Sequence, residues 1–344
     1  MKILVTGGAG YIGSHTVRAL KRAGHKVVVV DNLSKGHQQA IPDGVDFCKI
    51  DLGDIEGLRK IFLAGGFEAV VHFAGSIEVG LSMKDPASFM RNNVMNGVNL
   101  LEAMRVVGVK KIIFSSTAAV YGSPKIVPIK EDSRLVPTNI YGLSKLMFED
   151  LLRAYERGYG FQYVALRYFN AAGADESGEI GEDHDPETHL IPLIMRNLLD
   201  MGKVNGAVPL KIFGTDYNTK DGTCVRDYIH VSDLADAHVK ALGYLSRQSG
   251  AGVEKSDHSV FNLGNGNGFS VREVIKAAEE VTGRKVLVQE TVRREGDPPV
   301  LVADSALAKK VLGWKPRYAD LKTIVASAWK WHSTHPRGYL ASLR

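Results

Sequence analysis

The sequence predicts an α/β fold, in which a doubly wound parallel sheet is followed by a smaller mixed α/β domain. Apolar strands alternate with helical segments through the first half of the chain, a pattern typical of a parallel sheet covered by helices on both faces. A glycine-rich turn joins the first strand to the first helix. After about residue 170 the alternation gives way to stretches rich in glycine, proline and acidic residues. We therefore expect one domain over residues 1–169 and a second over residues 170–344.

The strands of the first domain are expected to be apolar throughout, because helices cover both faces of such a sheet. The predicted strands are 2–6, 26–30, 45–50, 69–73, 111–115 and 163–169. The segments between them carry apolar residues at helical spacing. The predicted helices are 11–24, 55–64, 92–107 and 141–155.

The second half of the chain is less regular. Residues 171–188 and 203–223 read as loops. The apolar run 225–230 predicts a strand, and we expect residues 225–235 to return to the main sheet. Helical spacing over 271–282 and 321–332 predicts two late helices.

Composition narrows the possible functions. Of the 344 residues 44% are hydrophobic, and the formal net charge is only +5, so the chain can bury a core and does not resemble a disordered one. Its basic residues are dispersed, whereas a nucleic-acid-binding protein more often gathers them on one face. Cys48 and Cys224 are the only cysteines, which offers no disulfide framework and indicates a reducing compartment such as the cytoplasm. We expect neither a signal peptide nor a membrane span.

The turn after the first strand predicts a dinucleotide site. Gly7, Gly10 and Gly13 form a Gly-x-x-Gly-x-x-Gly pattern, which permits a tight turn and lets a helix N-terminus face a pyrophosphate. Asp31 follows the next strand, 18 residues after Gly13, where a carboxylate can bind both ribose hydroxyls. Residues 32–34 contain no arginine to neutralise a 2′-phosphate, so the pattern predicts a Rossmann-like domain that binds NAD rather than NADP.

A second carboxylate follows the third strand. Asp51 could accept a hydrogen bond from an adenine amino group, or it could cap the helix that begins near Ile55. Asp54 is better placed for the cap. We therefore favour the adenine contact for Asp51.

Tyr141 and Lys145 indicate proton transfer beside the dinucleotide. Their spacing of four residues places them on one helix face, about 6 Å apart along the axis. A free tyrosine has a pKa of about 10, and lowering it to about 7 requires roughly 4 kcal/mol. A neighbouring ammonium and an oxidised nicotinamide both favour the phenolate. A surface pair is the alternative, but the position after the fifth strand favours reversible redox chemistry on an alcohol.

Hydroxyl groups end that fifth strand. Ser115, Ser116 and Thr117 follow one another, at the strand end that faces the ligand crevice in this kind of sheet. Thr117 could hydrogen-bond the reacting oxygen and share its proton with Tyr141. Hydroxyls also end strands without any catalytic role, so these residues alone leave the question open.

A set of motifs, in order along the chain, resembles a known family. The motifs are the glycine turn, Ser115-Ser116-Thr117, Tyr141-x-x-x-Lys145, Arg167-Tyr168-Phe169-Asn170, residues 221–231, Asn262-Leu263-Gly264 and residues 293–297. Together they resemble the UDP-glucose 4-epimerases of the extended short-chain dehydrogenase/reductase superfamily, over essentially the whole chain. The resemblance implies a Rossmann-like NAD domain, a C-terminal nucleotide-sugar domain, a homodimer, and a cytoplasmic isomerase of galactose metabolism.

The resemblance also implies a mechanism and its residues. Tyr141 would remove the proton of the sugar 4-hydroxyl, Thr117 would polarise that oxygen, and Lys145 would hold the nicotinamide ribose and lower the pKa of the tyrosine. Hydride would pass to NAD, the 4-keto sugar would rotate, and hydride would return to its other face. The implied NAD contacts are Gly7, Gly10, Tyr11, Ile12, Gly13, Asp31, Asn32, Asp51, Leu52, Phe73, Ala74, Gly75, Asn92, Ser115, Tyr141, Lys145 and Tyr168. The implied contacts to the UDP-hexose are Thr117, Tyr141, Asn170, His189, Leu190, Phe213, Arg226, Arg294, Asp297 and Leu301.

The chain departs from the family pattern at three positions. Ile77 replaces a lysine that some members place near the cofactor phosphates, so the sequence does not determine how tightly NAD is bound. His189 replaces an asparagine near the substrate diphosphate. Leu301 is intermediate between the tyrosine that restricts the family to UDP-glucose and UDP-galactose and the small residues that admit N-acetylated sugars.

The residues after the fifth strand bear on the alternative functions. A nucleotide-sugar 4,6-dehydratase or a glucuronate decarboxylase would want acidic residues where Ala118 and Ala119 stand. A UDP-glucuronate 4-epimerase stays open, and a non-catalytic NAD-binding protein would more often lack Tyr141 or Lys145. The run 182–189 is rich in acidic residues and histidines, but its spacing fits no standard ligand pattern, so we expect a solvated loop and no metal.

Overall fold

The computed structural model describes residues 1–201, 206–248, 258–294 and 296–342. The strands are β1 (Lys2–Thr6), β2 (Lys26–Asp31), β3 (Asp46–Lys49), β4 (Ala69–His72), β5 (Lys111–Thr117), β6 (Gln162–Tyr168), β7 (Asn170–Ala172), β8 (Leu210–Phe213), β9 (Val225–His230), β10 (Val260–Leu263), β11 (Gly268–Ser270), β12 (Val288–Thr291) and β13 (Val300–Leu301). The helices are α1 (Tyr11–Arg22), α2 (Ile55–Gly65), α3 (Val79–Lys84), α4 (Pro86–Met90), α5 (Asn96–Val106), α6 (Ile140–Tyr159), α7 (Leu190–Asp200), α8 (Val231–Gln248), α9 (Val271–Thr282), α10 (Ala306–Val311) and α11 (Leu321–Thr334).

A seven-stranded sheet with helices on both faces confirms the predicted fold class. Its strand order is β10-β6-β5-β4-β1-β2-β3, and every pairing in it is parallel. Successive residues of a strand face opposite sides of the sheet. Ile3 and Val5 therefore join a core with α1 and α8, whereas Leu4 joins a core with α2, α5 and α6. Because the strands run parallel, their carboxyl ends share one edge, where ligands bind in such sheets.

The smaller sheet is built around β9. This strand pairs with β7, β11 and β13, and β8 pairs with β12 in a separate ribbon. Helices α7, α9 and α11 enclose a third apolar core with these strands. The loop expected over residues 203–223 thus contains β8, and α7 and α8 are helices that the sequence reasoning did not identify.

The expectation that residues 225–230 rejoin the main sheet is wrong for the strand. The strand that extends the main sheet beyond β6 is β10, while α8 packs against the main sheet through Leu234 and Ala237. Asp227 explains where β9 lies, because its buried carboxylate accepts hydrogen bonds from Asn265 N (2.8 Å), Gly266 N (3.0 Å) and Ala303 N (3.1 Å). These donors belong to the segments beside β11 and β13, so they hold β9 in the smaller sheet.

No helix in the described part of the chain is both long enough and apolar enough to cross a lipid bilayer.

Candidate active site

The glycine turn between β1 and α1 is tightly packed. Gly7 has φ +71°, and a Cβ there would lie 2.5 Å from Ala74 N. A Cβ at Gly13 would lie 2.1 Å from the oxygen of Gly7. Helix α1 begins after Gly10 without a side-chain cap, so its first N–H groups are left for another acceptor. The turn therefore offers the close backbone approach and the uncapped helix end that a pyrophosphate requires.

Asp31 lies against this turn at the end of β2. Its carboxylate accepts hydrogen bonds from Ala9 N (3.0 Å) and Leu33 N (2.8 Å). Burial raises the pKa of Asp31, and these two hydrogen bonds partly offset the rise. A carboxylate has about four acceptor positions, so the two bonds leave capacity for ribose hydroxyls.

Asp51 is tied to Asn32 rather than to a helix end. Asn32 Nδ2 donates to Asp51 Oδ2 across 2.6 Å, and Gly53 N donates to Oδ1 across 2.7 Å. The cap of α2 is Asp54, which accepts from Gly57 N at 3.0 Å. Asp51 therefore does not cap α2, and with Asn32 it forms a polar bridge across the ends of β2 and β3.

The segment after β4 brings Phe73, Ala74 and Gly75 to the same edge. Phe73 packs against His238 of α8, with ring centres 4.7 Å apart. Ala74 touches the glycine turn, and a Cβ at Gly75 would lie 3.4 Å from Lys145 Nζ. These backbone positions thus connect the turn to the catalytic candidates.

Asn93 is a residue that the sequence reasoning missed. Its side chain accepts from Ser76 N (2.7 Å) and donates to the Ser76 oxygen (3.0 Å) and to Ser144 Oγ (2.9 Å). Asn92, which was predicted, donates to Ser76 Oγ (2.9 Å). Both asparagines lie in a π-helical turn, Arg91–Met95, a distortion often found at functional sites. The signal in the sequence was the pair of adjacent asparagines at the start of the predicted helix 92–107.

Tyr141 and Lys145 lie on one face of α6, as their spacing predicted. Lys145 is 3% exposed, and its Nζ lies 6.0 Å from the centre of the Tyr141 ring. The ammonium donates to the main-chain oxygen of Ser115 at 3.1 Å. Thr117 hydrogen-bonds Tyr141, so β5 and α6 bring all three predicted catalytic residues together.

The pKa of Tyr141 moves in the direction opposite to expectation. Burial raises it, and the hydrogen bond with Thr117 lowers it only in part. Burial also lowers the pKa of Lys145 to about 8. The sequence reasoning counted the attraction between ammonium and phenolate but could not count the burial of both groups. The protein alone therefore favours a neutral Tyr141.

Tyr168 hydrogen-bonds Ser115 through the two hydroxyl groups. Burial raises the pKa of Tyr168, and the neighbouring Tyr141 adds to the rise. Ser115 thus binds Lys145 through its main chain and Tyr168 through its side chain. These two hydrogen bonds hold Lys145 and Tyr168 in place beside Tyr141.

Several predicted substrate residues meet at the smaller sheet. Arg226 forms an ion pair with Asp297 at 3.0 Å and stands opposite Leu301 in the β9–β13 register. Burial raises the pKa of the Cys224 thiol, which is also influenced by Arg226, Asp297 and Arg294. Cys224, which the sequence did not place in the site, is thus close enough to these three charged side chains for them to affect the pKa of its thiol.

Phe213 and Arg294 contact each other. The Arg294 guanidinium lies 4.5 Å from the centre of the Phe213 ring, so it covers the ring that was expected to meet uracil. Asn170 stands opposite Tyr228 in the β7–β9 register. Leu190 begins α7 and packs at its apolar core. Among the residues that the structure describes, no side-chain contact joins Asn170 or Leu190 to the ion pair of Arg226 and Asp297.

The segment 182–189 is not the solvated loop that its composition suggested. Glu182 and Glu187 are only 4% and 9% exposed. His189 Nδ1 binds Glu182 Oε1 at 2.7 Å, so the nearest polar partner of this substrate candidate belongs to the loop. The loop is buried through tertiary contacts: the His184 ring lies 6.3 Å from the Tyr11 ring of the glycine turn, and His189 leads directly into α7.

The comparisons with known proteins agree with this geometry. Residues 3–264 match the NAD dependent epimerase/dehydratase family. The UDP-glucose 4-epimerase of Lacticaseibacillus casei is 50% identical over 339 residues, covering 98% of this chain and 99% of the relative. That of Halalkalibacterium halodurans is 49% identical over 339 residues, covering 98% of each.

Solved structures give the same result. The UDP-glucose 4-epimerase of Brucella ovis in complex with NAD superposes with a TM-score of 0.89 at 47% identity, covering 95% of this chain and 97% of that one. The enzyme of Bifidobacterium longum in complex with NAD⁺ and UDP gives 0.90 at 37% identity, covering 98% and 100%. This chain therefore belongs to the UDP-glucose 4-epimerase family, within the NAD-dependent epimerases and dehydratases.

Proposed function

We propose that this protein interconverts UDP-glucose and UDP-galactose, with NAD as a resident cofactor and Tyr141 as the acid-base group. The observation that carries the proposal is the buried Lys145 ammonium, 6.0 Å from the ring of a tyrosine that also bonds Thr117. This group lies at the carboxyl edge of the sheet, beside the glycine turn. Relatives that share half of the sequence are named for this reaction.

The residues of the turn fit NAD. Gly7 and Gly13 permit a tight turn in which a Cβ would strike the backbone of the protein itself. The N-terminus of α1 would face the pyrophosphate, and Asp31 would accept from the adenine ribose. Asp51 and Asn32 would meet the adenine end. Bound NAD supplies a reversible hydride acceptor and a positive charge beside Tyr141.

Tyr141 would take the proton of the sugar 4-hydroxyl and later return it to the same oxygen. Thr117 would hold that oxygen and the phenol oxygen in one hydrogen-bonded line. Lys145 would bind the nicotinamide ribose while Ser115 fixes its ammonium. Because burial alone keeps Tyr141 neutral, the base would form only after the cofactor's positive charge arrives.

The uridine diphosphate would be held at the smaller sheet while the sugar turns. Arg226 and Arg294 would neutralise the diphosphate through charge-assisted hydrogen bonds, and Asp297 would accept from a ribose hydroxyl. Stacking of uracil on Phe213 would require Arg294 to leave that ring or to remain on its opposite face. Further contacts would come from Asn170, His189 and Leu190.

We assign the cofactor and the substrate to different segments of the chain. Residues 1–169 would bind NAD, and residues 170–344 would bind the nucleotide sugar. Helix α8 and strand β10 belong to the second segment in sequence but pack with the first. The two regions therefore share a core, which would keep substrate and cofactor in a fixed relation.

The decisive experiment compares Tyr141→Phe with Tyr155→Phe. Tyr155 also lies on α6, but its hydroxyl binds Glu102 at 2.7 Å, away from the site. With UDP-galactose as substrate and product sugar measured by proton NMR, we expect turnover of Tyr141→Phe to fall by about 10²–10⁴-fold. NAD content and circular dichroism should stay unchanged. Full activity in Tyr141→Phe would refute the assignment.

We further propose that the protein works in the cytoplasm as a homodimer. Leu81 and Met83 of α3 and Leu143 and Met147 of α6 are exposed large apolar residues on two helices that pack together. Such a patch marks an interaction surface. Sedimentation analysis should give a dimer for the wild type and a monomer for Met147→Asp, and a monomeric wild type would contradict the proposal.

A further inference from the structure

Two glutamates and two histidines converge in the loop between β7 and α7. Glu182, His184, Glu187 and His189 each present one ligand atom, and these four atoms all lie within 4.8 Å of one another. The residues follow the spacing Glu-x-His-x-x-Glu-x-His. Folding of this short loop, rather than a helix or strand period, brings them together.

The distances between the four groups approach those of a metal site. His184 Nδ1 lies 3.3 Å from Glu182 Oε1 and 3.7 Å from Glu187 Oε2. His189 Nδ1 lies 2.7 Å from Glu182 Oε1 and 3.4 Å from Glu187 Oε1. Four ligands arranged tetrahedrally about 2.0–2.1 Å from a zinc ion stand about 3.3 Å apart. The four ligand atoms lie within 4.8 Å of one another, so the widest pair would have to close by up to about 1.5 Å to reach that geometry.

Two buried atoms of the cluster have no hydrogen-bond partner. They are His184 Nδ1 and Glu187 Oε2, and the side chain of Glu187 is 0% exposed. The other oxygen of Glu187 accepts from Thr188 N (2.7 Å) and His189 N (2.8 Å), which fixes the carboxylate and leaves Oε2 to the cluster. Glu187 Oε2 faces His184 Nδ1 at 3.7 Å, which is too far for a hydrogen bond. A buried carboxylate oxygen without a hydrogen bond is costly, and a bound cation would remove that cost.

The two buried carboxylates also need positive charge. In the structure they face the imidazoles of His184 and His189 at distances of 2.7–3.7 Å. A divalent cation bound between the four groups would supply two positive charges to the carboxylates, with both imidazoles neutral as ligands.

We propose that this cluster binds one divalent zinc-type ion through Glu182, His184, Glu187 and His189. Two imidazole nitrogens and two carboxylate oxygens suit Zn²⁺, whereas Mg²⁺ and Ca²⁺ prefer oxygen alone. His189 leaves 44% of its side chain exposed, which gives the ion an entry path. Coordination through Nδ1 leaves the Nε2 atom of His189 available to a substrate.

The location indicates a structural role for the ion. The His184 and Tyr11 rings are nearly perpendicular, with centres 6.3 Å apart, and Tyr11 belongs to the glycine turn. His189 immediately precedes α7. The ion would therefore fasten the start of α7 to the cofactor turn. Tyr141, Thr117 and Lys145 take no part in the cluster, so the ion could bind whether or not the protein catalyses the proposed reaction.

The test uses tag-free full-length protein that has been treated with a chelator and returned to metal-free buffer. Titration with Co²⁺, followed by visible absorption, should show one equivalent per chain with a four-coordinate spectrum free of thiolate bands. Zn²⁺ should displace it one for one and raise the melting temperature. Wild type that binds no equivalent at micromolar metal would overturn the proposal.

A variant pair locates the ion. Glu187→Gln should lose the bound equivalent, while Glu179→Gln, which alters an exposed partner of Arg18 at the start of the same segment, should keep it. Circular dichroism and NAD content establish that both variants are folded. Retention of the equivalent by folded Glu187→Gln would also overturn the proposal. If Glu187→Gln does not fold, the cobalt spectrum of the wild type still decides the ligand set.

Discussion

The Lys145 ammonium donates a hydrogen bond to the main-chain oxygen of Ser115 across 3.1 Å. This contact joins the face of α6 that carries Tyr141 to the end of β5 that carries Thr117. It also holds a charged group that is almost completely buried, at 3% exposed. The hydrogen bond fixes the positions of Tyr141 and Lys145 relative to the end of β5. Their spacing along α6 alone could not fix those positions.

NAD affinity should rise with pH through ionisation of Tyr141. Burial raises the pKa of Tyr141 above its usual value of about 10 in the protein alone, and the positive nicotinamide should lower it. By linkage, the ionised form must then bind NAD⁺ more tightly. The affinity for NAD⁺ should increase as the pH rises from the pKa of Tyr141 in the NAD⁺ complex towards its higher pKa in the free protein. Calorimetric titration at a series of pH values measures this affinity.

NADH is the control for this prediction, because its nicotinamide ring is uncharged and should show no such increase. In the Tyr141→Phe variant, the affinity for NAD⁺ should vary with pH no more than the affinity for NADH does. Equal pH dependence for both cofactors would exclude a charge interaction between the ring and the phenol.

Gly13→Ala should abolish cofactor binding. The added Cβ would lie 2.1 Å from the oxygen of Gly7, so the turn would have to open and α1 would shift. Equilibrium dialysis with NAD should detect no complex, and the melting temperature should fall. Gly80→Ala is the matched control, since no atom lies within 4 Å of its Cβ, and its stability should stay equal or rise by about 0.4–1 kcal/mol. Normal NAD binding by Gly13→Ala would contradict the tight packing of the turn.

Glu149→Gln should cost more stability than any surface charge change on α6. Glu149 is fully buried and holds Arg167 through two hydrogen bonds of 2.9 and 2.6 Å. Breaking a buried pair leaves one charge unpaired and costs about 3–5 kcal/mol. Arg153 lies only 3.7 Å from the same carboxylate but is partly exposed, so Arg153→Gln should cost about 0–1 kcal/mol. Urea denaturation measures both, and equal losses would show that the buried pair adds nothing beyond a surface one.

The Leu301→Tyr substitution should reduce the range of UDP-sugars that the protein converts. Leu301 packs against a buried cluster that includes Tyr121 and Phe169 and stands opposite Arg226 in the sheet. A larger side chain there would remove space beside the diphosphate candidates. Turnover of UDP-N-acetylgalactosamine should fall relative to UDP-galactose, measured on both substrates. Val292→Tyr, at an 86% exposed position, should leave the ratio unchanged. An unchanged ratio in Leu301→Tyr would remove this residue from the sugar site.

Local patterns in the sequence determined much of this protein. Apolar strands and helical spacing predicted the parallel sheet, because those periods follow from strand and helix geometry. Gly7 and Gly13 marked the turn, since only glycine fits where a Cβ would strike the backbone. The spacing of Tyr141 and Lys145 placed both on one helix face for the same reason.

Only the tertiary structure decided the rest, because it depends on burial and on contacts between distant segments. Asp227 holds β9 in the smaller sheet through N–H groups of residues 265, 266 and 303, which no local pattern around β9 reveals. Burial reversed the expected shift in the pKa of Tyr141. The composition of the segment 182–189 predicted solvated acids, but Glu182 and Glu187 are buried in a loop that contacts Tyr11 of the cofactor turn through His184. Sequence spacing determines which residues share one element, whereas desolvation and the pairing of remote elements arise only when the whole chain is packed.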